Sequence, residues 1–461
     1  MDGKTLREGS NTGSALLYRS LHKEYPIAAR GEGVYLWDTK GKRYLDLSGS
    51  AAVNFIGHGV PEIADAIAEQ AAKIEFVHSS QFTTEVAERF AEELLKFAGP
   101  AFFGGRVFFT SGGSEAVETA LKLARQYQVE IGRPEKFRIV SRDHSYHGAT
   151  LGALAASGNV RRRKIFLPMV KDPEAFIHIG LPYCYRCTYD CEGSGKCALQ
   201  FANELETAIE SSDGTVAAFV AEPISGATLG AAVPPIGYLK RIQQICLENE
   251  VLFIADEVMT GCGRTGRNFA VEHWALAPDM LVLAKGLSSG YMPLGAVIVN
   301  KHVVNTLEEG SGQLKHGFTY NAHPFAMAAG LAVLQQMQLM QSVCAADSGN
   351  AHSIGAALGN ELEKLRDCNS VGDVRGMGLL RGVEFVVDKK TKVPYPAEFN
   401  FAGKVADACA QRGVMVYPMQ GCVDGTGGDH LLIAPPAIIK ADQIAAACAA
   451  LTEAIVEVER N

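Results

Sequence analysis

Between residues 100 and 300 the chain alternates short, unbroken apolar runs with stretches of helical periodicity. The runs include Val107-Phe108-Phe109, Ile139-Val140, Val216 to Ala221, Val251 to Ala255 and Met280 to Ala284. Between the first two, Val117, Ala120, Leu121 and Ala124 keep the i, i+3, i+4, i+7 spacing of one helical face. A strand that is apolar at every position is covered on both sides, and a parallel sheet with helices on each face does this to strand after strand. The pattern predicts an α/β fold on a largely parallel sheet.

The flanks read differently. Gly33 to Trp37 and Arg43 to Leu47 flank Asp38-Thr39-Lys40-Gly41-Lys42, a hairpin signal with a glycine in its loop. Pro61 suits a first helical position, and Ile63, Ala66, Ile67 and Ile74 follow on one face. Beyond about residue 333 we expect a helix over 350–366, strands near Leu379 to Val387 and Val414 to Tyr417, and a closing Ala-rich helix. At about 150 residues per domain, this reads as a large domain over 61–332 and a smaller α+β domain over 333–461. The segment 1–60 is expected to join the smaller one.

Charge narrows the function classes. The 461 residues carry 43 Lys+Arg against 51 Asp+Glu, a net charge of −8, which gives no broad attraction to nucleic acid or anionic lipid. Met1 to Asn11 lacks the apolar core of a signal peptide, and no run is apolar enough to span a membrane. Seven of the 11 cysteines (246, 262, 344, 368, 409, 422, 448) are scattered singly. These features together set the expectation of a cytoplasmic protein with reduced thiols.

In an open α/β sheet, ligands bind beyond the carboxyl ends of the strands. Here those ends carry chemistry. Val216 to Ala221 ends in Glu222-Pro223, Val251 to Ala255 in Asp256-Glu257, and Met280 to Ala284 in Lys285-Gly286. The first run leads into Ser111-Gly112-Gly113-Ser114-Glu115-Ala116, which opens a helix, and the second into His144-Ser145-Tyr146-His147-Gly148. Singly, each has an ordinary structural reading: a tight turn, a helix cap, a surface charge, a packed loop. Together they supply a phosphate cradle at a helix N-terminus, an acid for a ring nitrogen, an aromatic to cover a ring and a lysine for an imine. These are the needs of pyridoxal phosphate.

The chain resembles the class III pyridoxal-phosphate aminotransferases, which have fold type I. The resemblance runs from about Gly31 to Pro436. It rests on Phe108 to Ala116, Tyr146-His147-Gly148, Ala221-Glu222-Pro223, Asp256-Glu257-Val258, Ala284-Lys285-Gly286 and Gly317-Phe318-Thr319-Tyr320. It implies a mostly parallel seven-stranded sheet domain with a smaller α+β domain, and an ω-aminotransferase-like activity. An amino group would pass from an amine or amino acid to a 2-oxo acid such as pyruvate or 2-oxoglutarate. The same resemblance implies that Lys285 forms the internal aldimine and acts as general base and acid, and that Asp256 keeps the pyridine nitrogen protonated. Val258 and Tyr146 would cover the two ring faces, with His147 beside the cofactor. Gly112, Gly113 and Ser114 would hold the phosphate, and Glu222 would lie near the ring. Thr319 would reach the neighbouring subunit's cofactor, which implies a homodimer with shared active sites. Racemases, aminomutases and decarboxylases of the same family use the same set and form the alternative.

Three places depart from the family pattern. Ser111-Gly112 stands where many relatives have Asn-Ser. Tyr417-Pro418 stands where many ω-amino-acid relatives carry Arg-Pro, so the usual carboxylate-binding arginine is missing, and Arg161, Arg162 and Arg163 are the candidate replacement, with Arg264 in reserve. Gly428-Asp429-His430 either places polar groups by the substrate or caps a loop. Gly261 to Gly266 matches G-x-G-x-x-G, but no clear amphipathic helix follows, so no dinucleotide site is expected. Cys184, Cys187, Cys191 and Cys197 are spaced C-x2-C-x3-C-x5-C, which fits either a packed loop or a zinc or iron–sulfur site, and no metal is assigned to them at this point.

Overall fold

A computed structural model describes residues 14–170, 174–189, 191, 195–344 and 354–460. The signal-peptide reading of Met1 to Asn11 and the start of the helix expected over 350–366 lie outside these residues. Fifteen strands are present among the described residues: β1 (Ala28–Glu32), β2 (Tyr35–Asp38), β3 (Arg43–Asp46), β4 (Arg106–Thr110), β5 (Arg138–Arg142), β6 (Phe176–Ile179), β7 (Val216–Ala221), β8 (Leu252–Asp256), β9 (Met280–Leu283), β10 (Gly295–Val299), β11 (Val371–Met377), β12 (Leu380–Phe385), β13 (Val414–Met415), β14 (Tyr417–Gln420) and β15 (Asp429–Ile433).

The apolar runs build a seven-stranded sheet of order β4-β10-β9-β8-β7-β5-β6. Every neighbour pair is parallel except those made by β10, which runs antiparallel to both β4 and β9. Successive side chains along a strand point to opposite faces, and the core divides accordingly. Ala218, Val220, Ile254 and Val282 pack with Val117, Ala120 and Ala124 of the helix Gly113–Glu130. Phe219, Phe253, Leu281 and Leu283 pack on the other face with Leu239, Ile242 and Ile245 of the helix Tyr238–Glu248. Two covered faces explain why these strands read as continuous apolar runs.

Two smaller sheets complete the fold. The expected hairpin is β2 and β3, with Gly41 at φ +81° in its loop and Asp38 accepting hydrogen bonds from the amides of Lys40 and Lys42. Its sheet has the order β1-β2-β3-β13, and β3 pairs in parallel with β13, Leu45 against Val414. The other is an antiparallel sheet of order β11-β12-β15-β14. The helix Pro61–Lys73 begins at the proline as expected, but Ile74 lies beyond its end in extended backbone and is exposed rather than on the apolar face. The helix Ile354–Glu363 and the closing helix Ala441–Glu459 occupy the expected places. The helix Pro324–Cys344 crosses residue 332 without a break and packs on the helices Pro61–Lys73 and Glu85–Ala98. Among the described residues no helix is long and apolar enough to cross a membrane.

Candidate active site

The carboxyl ends of the parallel strands bring most of the expected residues together. β8 delivers Asp256, which is 3% exposed, and its carboxylate has two donors. The Val258 amide donates to Oδ1 over 3.1 Å, and His147 Nδ1 donates to Oδ2 over 2.7 Å. His147 is equally buried, and its Nε2 has no partner among the described residues. Its contact in the protein is therefore with the Asp256 carboxylate, which it orients.

Lys285 follows β9 at the start of a 3-10 turn, Lys285–Leu287, with φ at +44°. A non-glycine residue in this region costs of order 1 kcal/mol and is found where a site fixes its backbone. Burial pushes the ammonium down to about 8, against the pull of Asp256 and Glu222, and Arg264 and Arg162 repel its charge further. Glu222, just past β7, accepts from the amides of Tyr146 (3.2 Å) and Gly226 (3.0 Å), and burial raises its carboxyl. Arg142 at the end of β5 donates to the Glu222 carbonyl oxygen.

Gly112 stands at the N-terminal end of the helix Gly113–Glu130 with no side chain capping the first turn. The uncapped amides form an anion-attracting end. A Cβ on Gly112 would meet nothing within 4 Å, whereas one on Gly113 would come within 3.1 Å of Val258 Cγ1, so Val258 and this turn lie against each other. The Ser114 hydroxyl accepts from the Ala149 amide over 3.0 Å, tying the cradle to the Tyr146-His147-Gly148 loop. Gly148 (φ +144°) is required there, because a Cβ would lie 2.7 Å from Ser114 Oγ.

Tyr146 faces a cleft of about 880 Å³, lined also by Arg161, Arg162, Asn159, Tyr417 and Pro418. The three arginines part company. Arg161 donates to Gln420 Oε1, Arg163 lies 3.3 Å from His178 Nε2, and the Arg162 guanidinium lies 4.4 Å from the centre of the Tyr146 ring. Arg264 is fully engaged elsewhere, donating to the carbonyls of Asn54, Ala434 and Pro435. Thr319 is exposed, and no hydrogen bond among the described residues links it to the other candidates. Asp429 and His430 lie on β15. His430 is buried, is held down to about 4 by burial, and bonds the Ala227 carbonyl oxygen at 2.7 Å, a structural tie rather than a substrate contact. Gly261 to Gly266 forms turns and opens no helix.

The family described as aminotransferase class-III matches residues 19–455. The chain belongs to the class III aminotransferases. The aminotransferase YodT of Bacillus subtilis is 39% identical over 97% of this chain and 99% of its own length. Gamma-aminobutyrate transaminase 1 of Oryza sativa subsp. indica is 34% identical over 91% of this chain and 78% of its own. Among solved structures, the (S)-enantioselective omega-transaminase of Thermomicrobium roseum superposes with a TM-score of 0.87 at 35% identity, covering 97% of each chain.

Class III aminotransferases use pyridoxal 5′-phosphate, and the residues present fit it. An open uncapped helix end suits its phosphate, a carboxylate held by two donors suits its ring nitrogen, and a largely buried amine suits its aldehyde. Arg142 escaped the sequence reading. The signal was there, since a charged residue closes the buried run Ile139-Val140-Ser141, but nothing in the sequence says that it turns inward to a carbonyl.

Proposed function

We propose that this transaminase moves an amino group from an amine or ω-amino acid to a 2-oxo acid of the pyruvate or 2-oxoglutarate kind, with Lys285 as its catalytic residue. The ω-amino donor is supported by relatives named as gamma-aminobutyrate transaminase and omega-transaminase. The 2-oxo acid acceptor is supported by the Arg162 guanidinium at the cleft, which has no ion-pair partner among the described residues. That cation is the observation that carries the reading. It replaces the arginine that Tyr417 displaces.

When bound, pyridoxal phosphate supplies an electrophilic carbon for the amine and a ring that draws electrons from the neighbouring Cα–H bond. Gly112, Gly113 and Ser114 hold its phosphate on amides that no side chain caps. Val258 and Tyr146 would cover the two ring faces, with Glu222 fixing the Tyr146 amide. Asp256 holds the ring nitrogen's proton, and His147 Nδ1 keeps the carboxylate turned towards that task. Lys285 Nζ would hold the cofactor at its aldehyde carbon and, as a free amine, would carry the proton of the substrate carbon that bears the amino group, a role that suits an amine held to about 8.

The exposed Thr319 serves the cofactor of a second copy in a homodimer, and the protein works in the cytoplasm. The test is a panel of amine and amino-acid donors against pyruvate and 2-oxoglutarate, read by spectral conversion of the cofactor. Conversion by ω-amino donors and reversal by one of the two acceptors is expected. Reversal by neither overturns the acceptor assignment.

A further inference from the structure

The four clustered cysteines take no part in the chemistry above, yet the fold gathers them. Cys184, Cys191 and Cys197 place their sulfurs within 4.8 Å of one another, and the Cys184 and Cys197 sulfurs are 4.0 Å apart. The Cys187 thiol is a hydrogen-bonding neighbour of Cys197. Cys184 and Cys187 bracket a single 3-10 turn, Cys184–Arg186, and Cys197 sits at the N-terminal end of the helix Ala198–Glu210, its thiol capping nothing there. We propose that Cys184, Cys187, Cys191 and Cys197 form a structural zinc site that staples the loop between β6 and this helix.

The distances argue for one ion. Tetrahedral zinc with Zn–S bonds of about 2.3 Å holds its sulfurs about 3.8 Å apart. The spacing of Cys184, Cys191 and Cys197 is near that, and Cys187, which adjoins Cys197 but stands outside that group of three, joins it by rotation of its side chain. A disulfide needs about 2.05 Å, and none of the four sulfurs is bonded to another in this way. A four-iron cluster sits between its ligands and spreads them further than this. The other buried cysteines show the contrast: Cys246, Cys409 and Cys448 lie singly among aliphatic side chains. Cys191 and Cys197 are buried while Cys184 and Cys187 are half-buried, which leaves the ion a way in. Four thiolate ligands leave no open position, so the site is closed and structural rather than catalytic.

The loop has something to hold. The Tyr183 hydroxyl donates to Glu384 on β12, and Arg186 Nε pairs with Glu384 Oε1 at 2.7 Å. Arg186 Nη1 donates to the Lys392 carbonyl, and Lys392 Nζ returns a bond to the Tyr185 carbonyl, each over 2.7 Å. Glu384 is fully buried and also pairs with Arg375. A segment that leaves the large sheet thus docks through Tyr183, Tyr185 and Arg186 onto β12 and the turn that follows it. Zinc at its base fixes the loop that makes the joint.

The test is elemental analysis of the holoenzyme, expressed with zinc in the medium and purified under reductant without chelator. About one zinc per chain is expected. A zinc-binding dye should register release when a mercurial blocks the thiols of the wild-type protein, a readout that needs no variant. Cys187→Ser, at a half-buried position, and Cys191→Ser should lose most of the zinc and several degrees of Tm, while Cys246→Ser keeps the zinc. Folded holoenzyme that holds no zinc and takes up none when it is added overturns the proposal. So does iron at the site in place of zinc, or zinc retained by both cluster variants. None of these outcomes touches the transaminase assignment, which is read from the cofactor's spectrum.

Discussion

Removing Arg162 separates the two halves of the reaction. Its guanidinium does two things in the structure: it packs 4.4 Å from the Tyr146 ring centre, and it lines the cleft with no ion-pair partner among the described residues. A substrate carboxylate held by such a fork makes charge-assisted bonds worth about 1.5–3 kcal/mol. Arg162→Ala should therefore lower kcat/KM for a 2-oxo acid roughly 10- to 150-fold. An amine without a carboxylate loses only the support that Arg162 gives Tyr146, about 0.5–1 kcal/mol, or roughly two- to fivefold. Stopped-flow measurement of each half-reaction, followed by the cofactor's absorbance, reads the two numbers separately. Arg162→Lys keeps the charge but not the fork, and should fall between wild type and alanine. Equal losses in both half-reactions would refute the carboxylate role and point to damage of the Tyr146 loop. No loss in either would leave the anchor to a residue of a second subunit, since Arg264 is already bound to three carbonyls.

Three further outcomes follow from the site. In the role proposed above, Lys285→Ala should abolish the cofactor's visible band and leave negligible turnover; near wild-type turnover would remove Lys285 from the mechanism. In the role proposed above, Asp256→Asn leaves His147 beside an uncharged partner and the ring nitrogen without its counter-ion, so the single-turnover rate should drop by roughly one to two orders of magnitude, the worth of a charge-assisted hydrogen bond. Cofactor content measured in parallel shows whether binding rather than rate was lost. Glu257 is buried and raised to about 7 from an ordinary 4.5, so the folded state takes up a proton more readily than the unfolded chain, and stability falls as pH rises through that window. Glu257→Gln should match wild type in unfolding free energy near pH 4 and exceed it above pH 7, by an upper value of about 3 kcal/mol; a variant equally destabilised at both ends would refute the linkage.

The parallel strands and their terminal residues were legible because burial on two faces leaves no room for anything but apolar side chains until the strand ends. Lys285, Asp256 and Glu222 then stand out as charges placed directly after that run. Direction was not legible. Gly295 to Val299 is as buried as its neighbours, and nothing in its composition says that it runs antiparallel. β11 escaped notice because Val371–Met377 carries two glycines and two charges, one of which, Arg375, is buried against Glu384. Asp429-His430 read as a polar loop because the sequence does not show that the Ala227 carbonyl waits for the imidazole. Arg264 read as a spare cation for the same reason, its three carbonyl partners lying far away in the chain.

The pairing of β3 with β13 has a temporal consequence. Leu45 is among the first strand residues made and Val414 among the last, yet they share one ladder. During synthesis the N-terminal hairpin emerges with a bare edge and keeps it until most of the polypeptide has followed. Contacts of such separation close late and slow the final step of folding. An open edge is also a template for pairing with another chain. Crowded expression or truncation before β13 thus exposes the same edge, and the yield of soluble chain depends on how quickly the last strands arrive to cover the first.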